Sequence, residues 1–299
     1  MKRVFTHITG AFALDTLKNL GKADPTQLGE QCLPDRKTFS QLSKQLSNNW
    51  KALREANLKA TKQYIKKSVR QDTLIIQAIN NAIELDKIQN MLAKRLREWY
   101  GYYLPEFAKK IQEHHTFAEL VVSQNKQALL KKLNLKDIDS MGWNLQDKDV
   151  APMKALAEQL LQVKQTQDEQ EQYITSFMEA ECPNIAAVAT PLLGAKIIAK
   201  AGSLQRLARL PASTVQLLGA EKALFRHMAT GAAAPKYGIL LHHPLVTKVP
   251  AKVKGKMART IANKLAIAAK VDMNKGEDCS NKLCADIEKI FKKLSGGRR

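Results

Sequence analysis

The spacing of apolar residues changes near the start of the chain, and the change predicts where sheet gives way to helix. The segment from Val4 to Leu14 alternates loosely and has Gly10 where a hairpin would turn, which predicts a small two-stranded element. A spacing of three to four residues, typical of an amphipathic helix, begins near Thr38. Its apolar positions are Phe39, Leu42, Leu46, Trp50 and Leu53. We therefore expect a small α/β domain over residues 1–67, with this helix packed on its strands.

Two long amphipathic helices are predicted in the middle of the chain. The first begins at Asp72, interpreted as its N-cap, and ends at Gly101, and its apolar positions repeat every seven residues. They are Ala78, Leu85, Leu92 and Trp99, with Ile88 between them. The second starts near Pro152 and alternates steps of three and four. Its positions are Met153, Leu156, Leu160, Val163, Gln167, Gln170, Ile174 and Phe177. With about fifty residues between the seams, the pattern predicts a long antiparallel coiled-coil hairpin over residues 68–181.

The seam of this hairpin could also accept a second copy of the chain. On that interpretation the dimerisation residues are Leu85, Leu92, Trp99, Leu156, Leu160, Val163, Gln167, Ile174 and Phe177. Gln167 and Gln170 at seam positions cost stability but can fix register or the choice of partner. The alternative is that the two helices simply pack within a bundle, because the period alone does not separate contacts within a chain from contacts between chains.

The distribution of charge divides the chain in similar places. Residues 1–70 carry 14 basic and 5 acidic groups, residues 71–181 carry 13 and 17, and residues 182–275 carry 15 and 2, out of a net charge of +20. An excess of this size implies a polyanionic partner, and a middle segment of opposite sign suggests separate modules.

Short helices on short loops are predicted after Cys182, because glycines and prolines there are spaced as helix punctuation. We expect residues 182–299 to form a compact all-α domain. The segment from Lys282 to Leu294 is its last amphipathic helix, and Ser295 to Arg299 is a frayed tail.

The motifs that would mark an enzyme, a metal site or a secreted protein are missing from the sequence. No GxxxxGK[ST], GxGxxG, GxSxG or HExxH motif is present, and no signal peptide or long apolar span is found. The pairs His114–His115 and His242–His243 are adjacent, so on a helix their side chains diverge by about 100°. Exposed or core-satisfied histidines are the default interpretation. The cysteines, which include no CxxC pair, are interpreted as reduced and intracellular: Cys32, Cys182, Cys279 and Cys284. The sequence predicts a soluble protein with no catalytic residue, metal or cofactor of its own.

A cationic stripe is predicted on one helix of the basic domain. Its members follow steps of three and four: Lys252, Lys256, Arg259, Asn263 and Lys270. Lys254 and Lys264 widen it, while Met257, Ile261 and Leu265 form the opposite, buried stripe. Because no acid occurs from Lys222 to Lys270, the stripe suits a run of phosphates. The alternative is a merely solvated helix face.

A second candidate surface begins where Gly219 separates two short helices. Lys222, Phe225 and Arg226 lie at three-to-four spacing on the second of them and so share an edge. Phe225 could stack on an unpaired base, which is how proteins commonly read single-stranded or bulged RNA. The alternative is that Phe225 belongs to the core.

Four motifs of the basic region resemble the Nop domain, as found in archaeal scaffolds of box C/D ribonucleoproteins. They are PASTVQ at 211–216, GAEKALFR at 219–226, APKYG at 234–238 and GKMARTIANKLAIAAKVD at 255–272. Upstream, DTLIIQAI at 72–79 and RLREWYG at 95–101 resemble the coiled-coil region of the same proteins. The resemblance covers roughly residues 68–272.

The resemblance implies an assembly factor whose catalysis belongs to a partner. In the family, the Nop domain binds a kink-turn guide RNA already held by a ribosomal-type kink-turn protein, and the coiled coil pairs two scaffolds. The N-terminal domain holds fibrillarin, which uses S-adenosylmethionine to methylate ribose 2′-hydroxyls on target RNA. Carried onto this sequence, the residues facing the guide RNA are Gly219, Ala220, Glu221, Lys222 and Arg226. Lys236 lies in the loop that reaches the kink-turn, and Lys256, Arg259 and Lys264 contact RNA backbone, beside Lys252, Lys254 and Asn263 of the stripe.

Two departures from the family pattern bear on partners and location. The segment before Ser68 is shorter than expected for a fibrillarin-binding domain, although GAFAL at 10–14 resembles its opening hairpin. The long lysine-rich tail of the eukaryotic nucleolar relatives is absent, which favours an archaeal-type homodimer in the cytoplasm, with the nucleolus expected for a eukaryotic chain. The alternatives are a spliceosomal relative that uses the domain on a different RNA, a coiled-coil interaction protein whose basic domain binds acidic surfaces without RNA specificity, and an unrecognised enzyme.

Overall fold

The computed structural model describes residues 3–7, 10–13, 19–21, 30–31, 33–47, 50–134 and 140–295, and divides the chain into two units, residues 1–70 and 71–299. The described residues form fifteen α-helices and four short strands. The predicted mainly α class is therefore confirmed. The predicted domain boundaries at residues 67 and 181 stay predictions, as does the α/β fold of the whole first segment, since much of it, including Cys32, lies outside the described residues.

The first unit contains a four-stranded sheet followed by two helices. The strands are β1 (Arg3–His7), β2 (Gly10–Ala13), β3 (Asn19–Gly21) and β4 (Glu30–Gln31), in the order β3-β2-β1-β4. β1 pairs antiparallel with β2, and Phe5 lies opposite Phe12. β2 pairs antiparallel with β3, whereas β1 pairs parallel with β4. The pattern of the sequence predicted only the first two strands.

Helices α1 (Arg36–Ser47) and α2 (Trp50–Ser68) cover the helix predicted from Thr38 through Leu53. Residues 48 and 49 between them lie outside the described residues, so the continuity of the predicted helix stays a prediction. Of the apolar positions on which it rested, Leu42 is buried, whereas Phe39 and Trp50 are exposed.

The second unit begins with the predicted antiparallel hairpin. Its long helices are α3 (Gln71–Tyr100) and α7 (Asp147–Glu181), and three short helices join them: α4 (Pro105–Lys110), α5 (His114–Ser123) and α6 (Lys126–Leu133). Ile75 near the start of α3 shares one core cluster with Met178 near the end of α7. Leu96 near the end of α3 shares a second cluster with Met153 near the start of α7. The two helices therefore run in opposite directions along their whole length.

On α3, Ala78 is buried as predicted, but beyond it the buried positions lie one residue away from the predicted register. The buried positions of α3 are Ile75, Ala78, Ile79, Ala82, Ala93, Leu96 and Tyr100, whereas Ile88 and Trp99 are 38% and 42% exposed. On α7, Met153, Leu160 and Ile174 are buried as predicted, but Ala157 and Met178 take the seam places expected for Leu156 and Phe177. The prediction missed this part of the α3 register because no residue between Ala82 and Ala93 is buried: Asp86 is exposed and Gln89 is half-buried, so no apolar residue marks the seam there.

Gln89 and Gln167 meet across the seam. The side-chain Nε2 of Gln89 donates to Oε1 of Gln167 at 2.6 Å. A polar pair across a helix seam is satisfied only when the two helices keep this register. The predicted role of Gln167 in fixing register is thus explained by a contact within the chain, and Gln170 is half-buried beside it.

Asp72 is not the N-cap of α3, because α3 already begins at Gln71. Its carboxylate instead accepts a hydrogen bond from the backbone N–H of Leu204, 2.9 Å away, at the first residue of another helix. The predicted cap therefore acts on a helix that is distant in sequence, where a carboxylate also favours the positive end of the helix dipole.

Short helices follow in the basic region. They are α8 (Pro183–Ala189), α9 (Pro191–Ala201), α10 (Leu204–Arg209), α11 (Ala212–Leu217), α12 (Glu221–Thr230), a 3-10 turn (Ile239–His242), α13 (Pro244–Lys248), the long α14 (Lys254–Met273) and α15 (Ser280–Ser295). The last of these covers the helix predicted from Lys282 to Leu294, while residues 296–299 of the predicted tail lie outside the described residues. No single helix within the described ranges is long and apolar enough to span a membrane, and α8 with α9 passes only as a pair bent by 109°.

The core of the basic region is continuous with the base of the hairpin. Met257, Ile261 and Leu265 of α14 belong to the same buried cluster as Ile75 and Met178. The predicted buried stripe of α14 is therefore confirmed, and it packs against the hairpin's own core. As a consequence, the exposed face of α14 is fixed to the hairpin through shared packing.

Candidate RNA-binding groove

The loop that carries Lys236 is held by main-chain hydrogen bonds to the end of α11. Gly238 N–H donates to Gln216 O at 2.9 Å, and Ile239 N–H donates to Leu218 O at 2.8 Å. The buried side chain of Gln216 adds a third bond, from Nε2 to Lys236 O at 2.6 Å. A Cβ on Gly238 would lie 1.9 Å from Leu218 O. The close approach of the loop backbone to the end of α11 therefore requires glycine at position 238. These contacts fix the position of the loop.

A groove of about 630 Å³ opens between this loop and the start of α14. Four cations line it: Lys236, Lys252, Lys256 and Arg259. Leu217 and several small or polar residues complete its wall, and the described residues that line it include no acid. Gly255 lies against Lys236, since a Cβ on Gly255 would lie 3.4 Å from Cβ of Lys236, an ordinary van der Waals distance. The structure thus joins the loop cation and three members of the predicted stripe in one concave basic surface.

The rest of the stripe lies on α14 outside the groove. Asn263 and Lys270 are exposed along the same helix, and Lys254 is half-buried at its start. Lys264 forms an ion pair on this face, because its Nζ lies 2.6 Å from Oδ2 of Asp286 on α15. That Lys264 ammonium holds the pKa of Asp286 below its usual range. Lys264 therefore joins two helices, and its contact with RNA backbone stays a prediction.

Gly219 and Glu221 form a tight turn ahead of α12. Gly219 has a φ of +86°, and a Cβ on it would lie 2.4 Å from Cγ2 of Ile239. The Glu221 carboxylate accepts from the N–H of Gly219 at 2.7 Å, and this bond lowers the pKa of Glu221. Nearby Lys200 lowers it further. Glu221 therefore has a local role in shaping the turn, and an approach of Glu221 to RNA stays a prediction.

The edge of α12 with its exposed aromatic is a second surface, outside the groove. Phe225 is 66% exposed and Met228 is 72% exposed, and none of the described residues of α12 is buried. The interpretation of Phe225 as a core residue is therefore wrong. Lys222 and Arg226 are exposed beside it, as the spacing predicted.

Reasoning from sequence missed the residues that position the groove. Gln216 is a buried amide in a short helix, and Gly238 allows the loop backbone to approach the backbone of Leu218 closely. The sequence signal that could have indicated a buried Gln216 is its place next to apolar Val215 in the segment PASTVQ. Its partner, the carbonyl of Lys236, lies 20 residues away and has no local signature.

Two of the proposed dimerisation residues are buried by contacts within the chain itself. Leu160 and Ile174 are 2% and 0% exposed in the closed hairpin. A second copy cannot reach them unless the hairpin opens, because the α3 side chains already cover them. The other positions are half-buried or, for Trp99, exposed, and their role in pairing stays a prediction.

The histidines and acidic side chains of the described residues lack the grouping that a metal ion needs. No group of three or more metal-ligating side chains occurs within the described ranges. His243 is buried, with Nε2 2.8 Å from Val188 O and Nδ1 accepting from Leu245 N–H at 3.1 Å. Burial lowers the pKa of His243, so it is a neutral core residue, as the default interpretation predicted.

Comparison with known proteins identifies relatives of this fold. The family described as "Nop: snoRNA binding domain, fibrillarin" matches residues 81–293. The chain is 36% identical over 297 residues to a NOP5 family protein of Methanocaldococcus jannaschii, covering 92% of this chain and 70% of that protein. It is 36% identical over 246 residues to nucleolar protein 58 of Schizosaccharomyces pombe, covering 76% of this chain and 48% of that protein.

Other matches agree with these. Nucleolar protein 58 of Candida albicans is 40% identical over 215 residues, covering 67% of this chain and 42% of that protein. The chain thus spans less than half the length of the two yeast relatives. A chain from the crystal structure of a fibrillarin/Nop5p complex aligns over 97% of this chain and 99% of its own length, with a TM-score of 0.49 and 22% identity.

Proposed function

The chain belongs to the Nop domain family, and from this premise we propose that it is the core scaffold of a box C/D guide ribonucleoprotein. In this role it binds kink-turn guide RNA with its kink-turn protein and positions fibrillarin for ribose 2′-O-methylation of a target RNA. Catalysis and S-adenosylmethionine both belong to fibrillarin. The family's description names snoRNA and fibrillarin, which supports both partners.

The observation that carries the RNA-binding proposal is the basic groove between the Lys236 loop and α14. Lys236, Lys252, Lys256 and Arg259 point into one concave surface with no acid among its described lining residues. Phosphates bound there would release counterions, so the affinity depends steeply on salt. Because hydrogen bonds hold the loop and core packing holds α14, little ordering is needed when RNA binds.

The exposed edge of α12 supports a composite partner of RNA and protein. Lys222 and Arg226 suit phosphates, while Phe225 and Met228 offer an apolar surface that RNA backbone alone does not fill. We assign this edge to the junction of the guide RNA and the kink-turn protein. The tight turn of Gly219 places the start of α12 against the groove loop through Ile239.

Fibrillarin binding is assigned to the first unit and homodimerisation to the hairpin. Since Leu160 and Ile174 are buried within the closed hairpin, pairing uses its outer surface. In an archaeal cell the complex would work in the cytoplasm.

The groove is tested by removing three of its cations. In the triple variant Lys252→Gln, Lys256→Gln and Arg259→Gln, affinity for kink-turn RNA held by its protein falls, and the slope of log affinity against log salt becomes shallower by about 2–3. Glutamine keeps helix propensity, so α14 should remain folded. The matched control is the triple variant Lys131→Gln, Lys132→Gln and Lys148→Gln. All three lysines are exposed; the first two lie on α6 and the third lies in the first turn of α7. Unchanged affinity and slope in the groove variant would refute the assignment.

The scaffold role is tested by omission. The purified chain, guide RNA, kink-turn protein, fibrillarin and S-adenosylmethionine are mixed, and each is left out in turn while methyl transfer to a target RNA is measured. Methylation should require fibrillarin and should fall strongly without this chain. Transfer that persists without fibrillarin would show that this chain is itself an enzyme.

A further inference from the structure

Helix α2 carries a second cationic surface that the groove does not use. From Ala56 to Arg70 the sequence contains no acidic residue. Lys59, Lys62 and Lys66 follow steps of three and four and so lie on one face of α2, over about 10 Å of its length. We call these three residues the α2 stripe. It belongs to the first unit, whereas the groove belongs to the second.

From Thr61 onward, the part of α2 that carries the stripe is exposed all round. Every residue from Thr61 to Val69 is exposed, and Tyr64 is 75% exposed. A helical segment without a buried face gains no stability from a core, and short isolated helices are marginal in water. A ligand on this segment would therefore stabilise it as well as bind it.

The lysines of the stripe have no acidic partner among the described residues, unlike other lysines of the chain. Lys164 is held by Asp168 and Lys264 by Asp286, each at 2.6 Å. Within α2 itself the one acidic residue is Glu55, which precedes the stripe. The ammonium groups of the stripe therefore remain available to an external anion.

We propose that the α2 stripe binds the phosphate backbone of RNA, as a contact separate from the groove. This rests on the proposed function, because a guide RNA bound in the groove supplies a long polyanion. Compact, hydrated ammonium groups in single file suit successive phosphates, and exposed Tyr64 offers a ring on which a base can stack. Two sites on one chain that hold one RNA raise affinity through effective concentration.

The other candidate partner is an acidic protein surface. Two apolar residues beside the stripe on α2 distinguish this partner from RNA. Leu58 and Ile65 are seven residues apart and exposed, at 49% and 58%. A protein partner would bury them at the centre of its interface with the lysines at the rim. An RNA backbone would leave them in water. The continuous run without acids, in a family whose domain binds RNA, favours RNA.

The test compares two RNAs on the full-length chain. One is a kink-turn RNA held by its protein, and the other is the same RNA with a 15-nucleotide single-stranded extension. With the wild-type chain, three further phosphate contacts should steepen the slope of log affinity against log salt by about 2, which is roughly a hundredfold in affinity near 0.1 M salt. The variant Lys59→Gln, Lys62→Gln and Lys66→Gln should lose this gain and bind both RNAs alike.

Controls identify what the gain depends on. The gain should persist in the Lys131→Gln, Lys132→Gln and Lys148→Gln variant, which has the same change in net charge, and in Leu58→Gln with Ile65→Gln. Circular dichroism checks that helix content is retained in each. A gain that survives in the stripe variant, or that disappears equally in either control, would overturn the proposal.

Failure of the groove and failure of the stripe give different results. If the kink-turn RNA does not bind the wild-type chain, the proposed function fails, and a 20-nucleotide poly(U) then serves as the probe. Weaker poly(U) binding by the stripe variant than by the lysine control variant still supports the stripe, and equal binding refutes it.

Discussion

Replacing Asp272 with alanine should destabilise the basic region, because this buried carboxylate caps α8. It accepts the N–H groups of Asn184 and Ile185 at 3.3 and 2.9 Å, and Nδ2 of Asn184 at 2.7 Å. Loss of a helix cap costs about 1–2 kcal/mol, and a buried donor left without an acceptor costs about 1–3 kcal/mol. Since alanine also removes a desolvated charge, the net loss should be about 2–4 kcal/mol in the free energy of unfolding.

Urea unfolding followed by circular dichroism measures this loss, with the exposed neighbour change Asn274→Ala as control, expected within about 0.5 kcal/mol of wild type. A loss for Asp272→Ala as small as that of the control would refute the capping argument. The dependence on pH gives a second check. Burial raises the pKa of Asp272, although the bonds from Asn184 and Ile185 oppose the rise. Folding therefore favours the protonated acid, and the advantage of wild type over Asp272→Asn should shrink as pH rises from about 4.

Three further changes test the groove, the seam and the core. Gln216→Met should leave Lys236 O without its donor and weaken RNA affinity severalfold, measured by titration, with a smaller effect on unfolding; unchanged affinity would contradict the role of Gln216. Gln167→Leu should lower the free energy of unfolding by about 1 kcal/mol by isolating Gln89, whereas replacing both glutamines with leucine should restore or exceed wild-type stability; additive losses would refute the pairing. Burial lowers the pKa of His243, so its contribution to stability is present above about pH 6.5 and lost as pH falls; a wild-type stability that falls no more steeply than that of His243→Gln between pH 7 and 5 would contradict this.

The buried and exposed faces of α14 were predictable from sequence because one helix supplies the whole pattern. Met257, Ile261 and Leu265 are all apolar and all buried, so the period of 3.6 is unbroken. On α3 the same reasoning gave the wrong register. There the stretch between Ala82 and Ala93 has no buried residue, and apolar Leu85 and Leu92 are half-buried within it, so apolar residues alone indicate the neighbouring register.

Contacts between elements distant in sequence account for the remaining errors. In the sequence, Lys264 looks the same as the other lysines of the cationic stripe on α14. The structure distinguishes it, because α15 places Asp286 against it. Asp72 looks like a local cap, but its partner Leu204 lies 132 residues away. Helical periodicity reports which face of an element is buried and says nothing about which element covers it. Charge alone therefore located the basic region but did not separate paired lysines from available ones.

The shared core explains how one chain can position RNA relative to other components. The groove cations of α14 rest on Met257 and Ile261, which pack in one cluster with Ile75 and Met178 at the base of the hairpin. From that base α7 extends for 35 residues, about 50 Å at the helical rise, with a polar pair holding its register. Repacking of the base would therefore shift the groove and the hairpin together, whereas a loop-borne site would move alone. A scaffold that must hold RNA at a set distance from its partners needs that coupling, and an enzyme with a self-contained pocket would not.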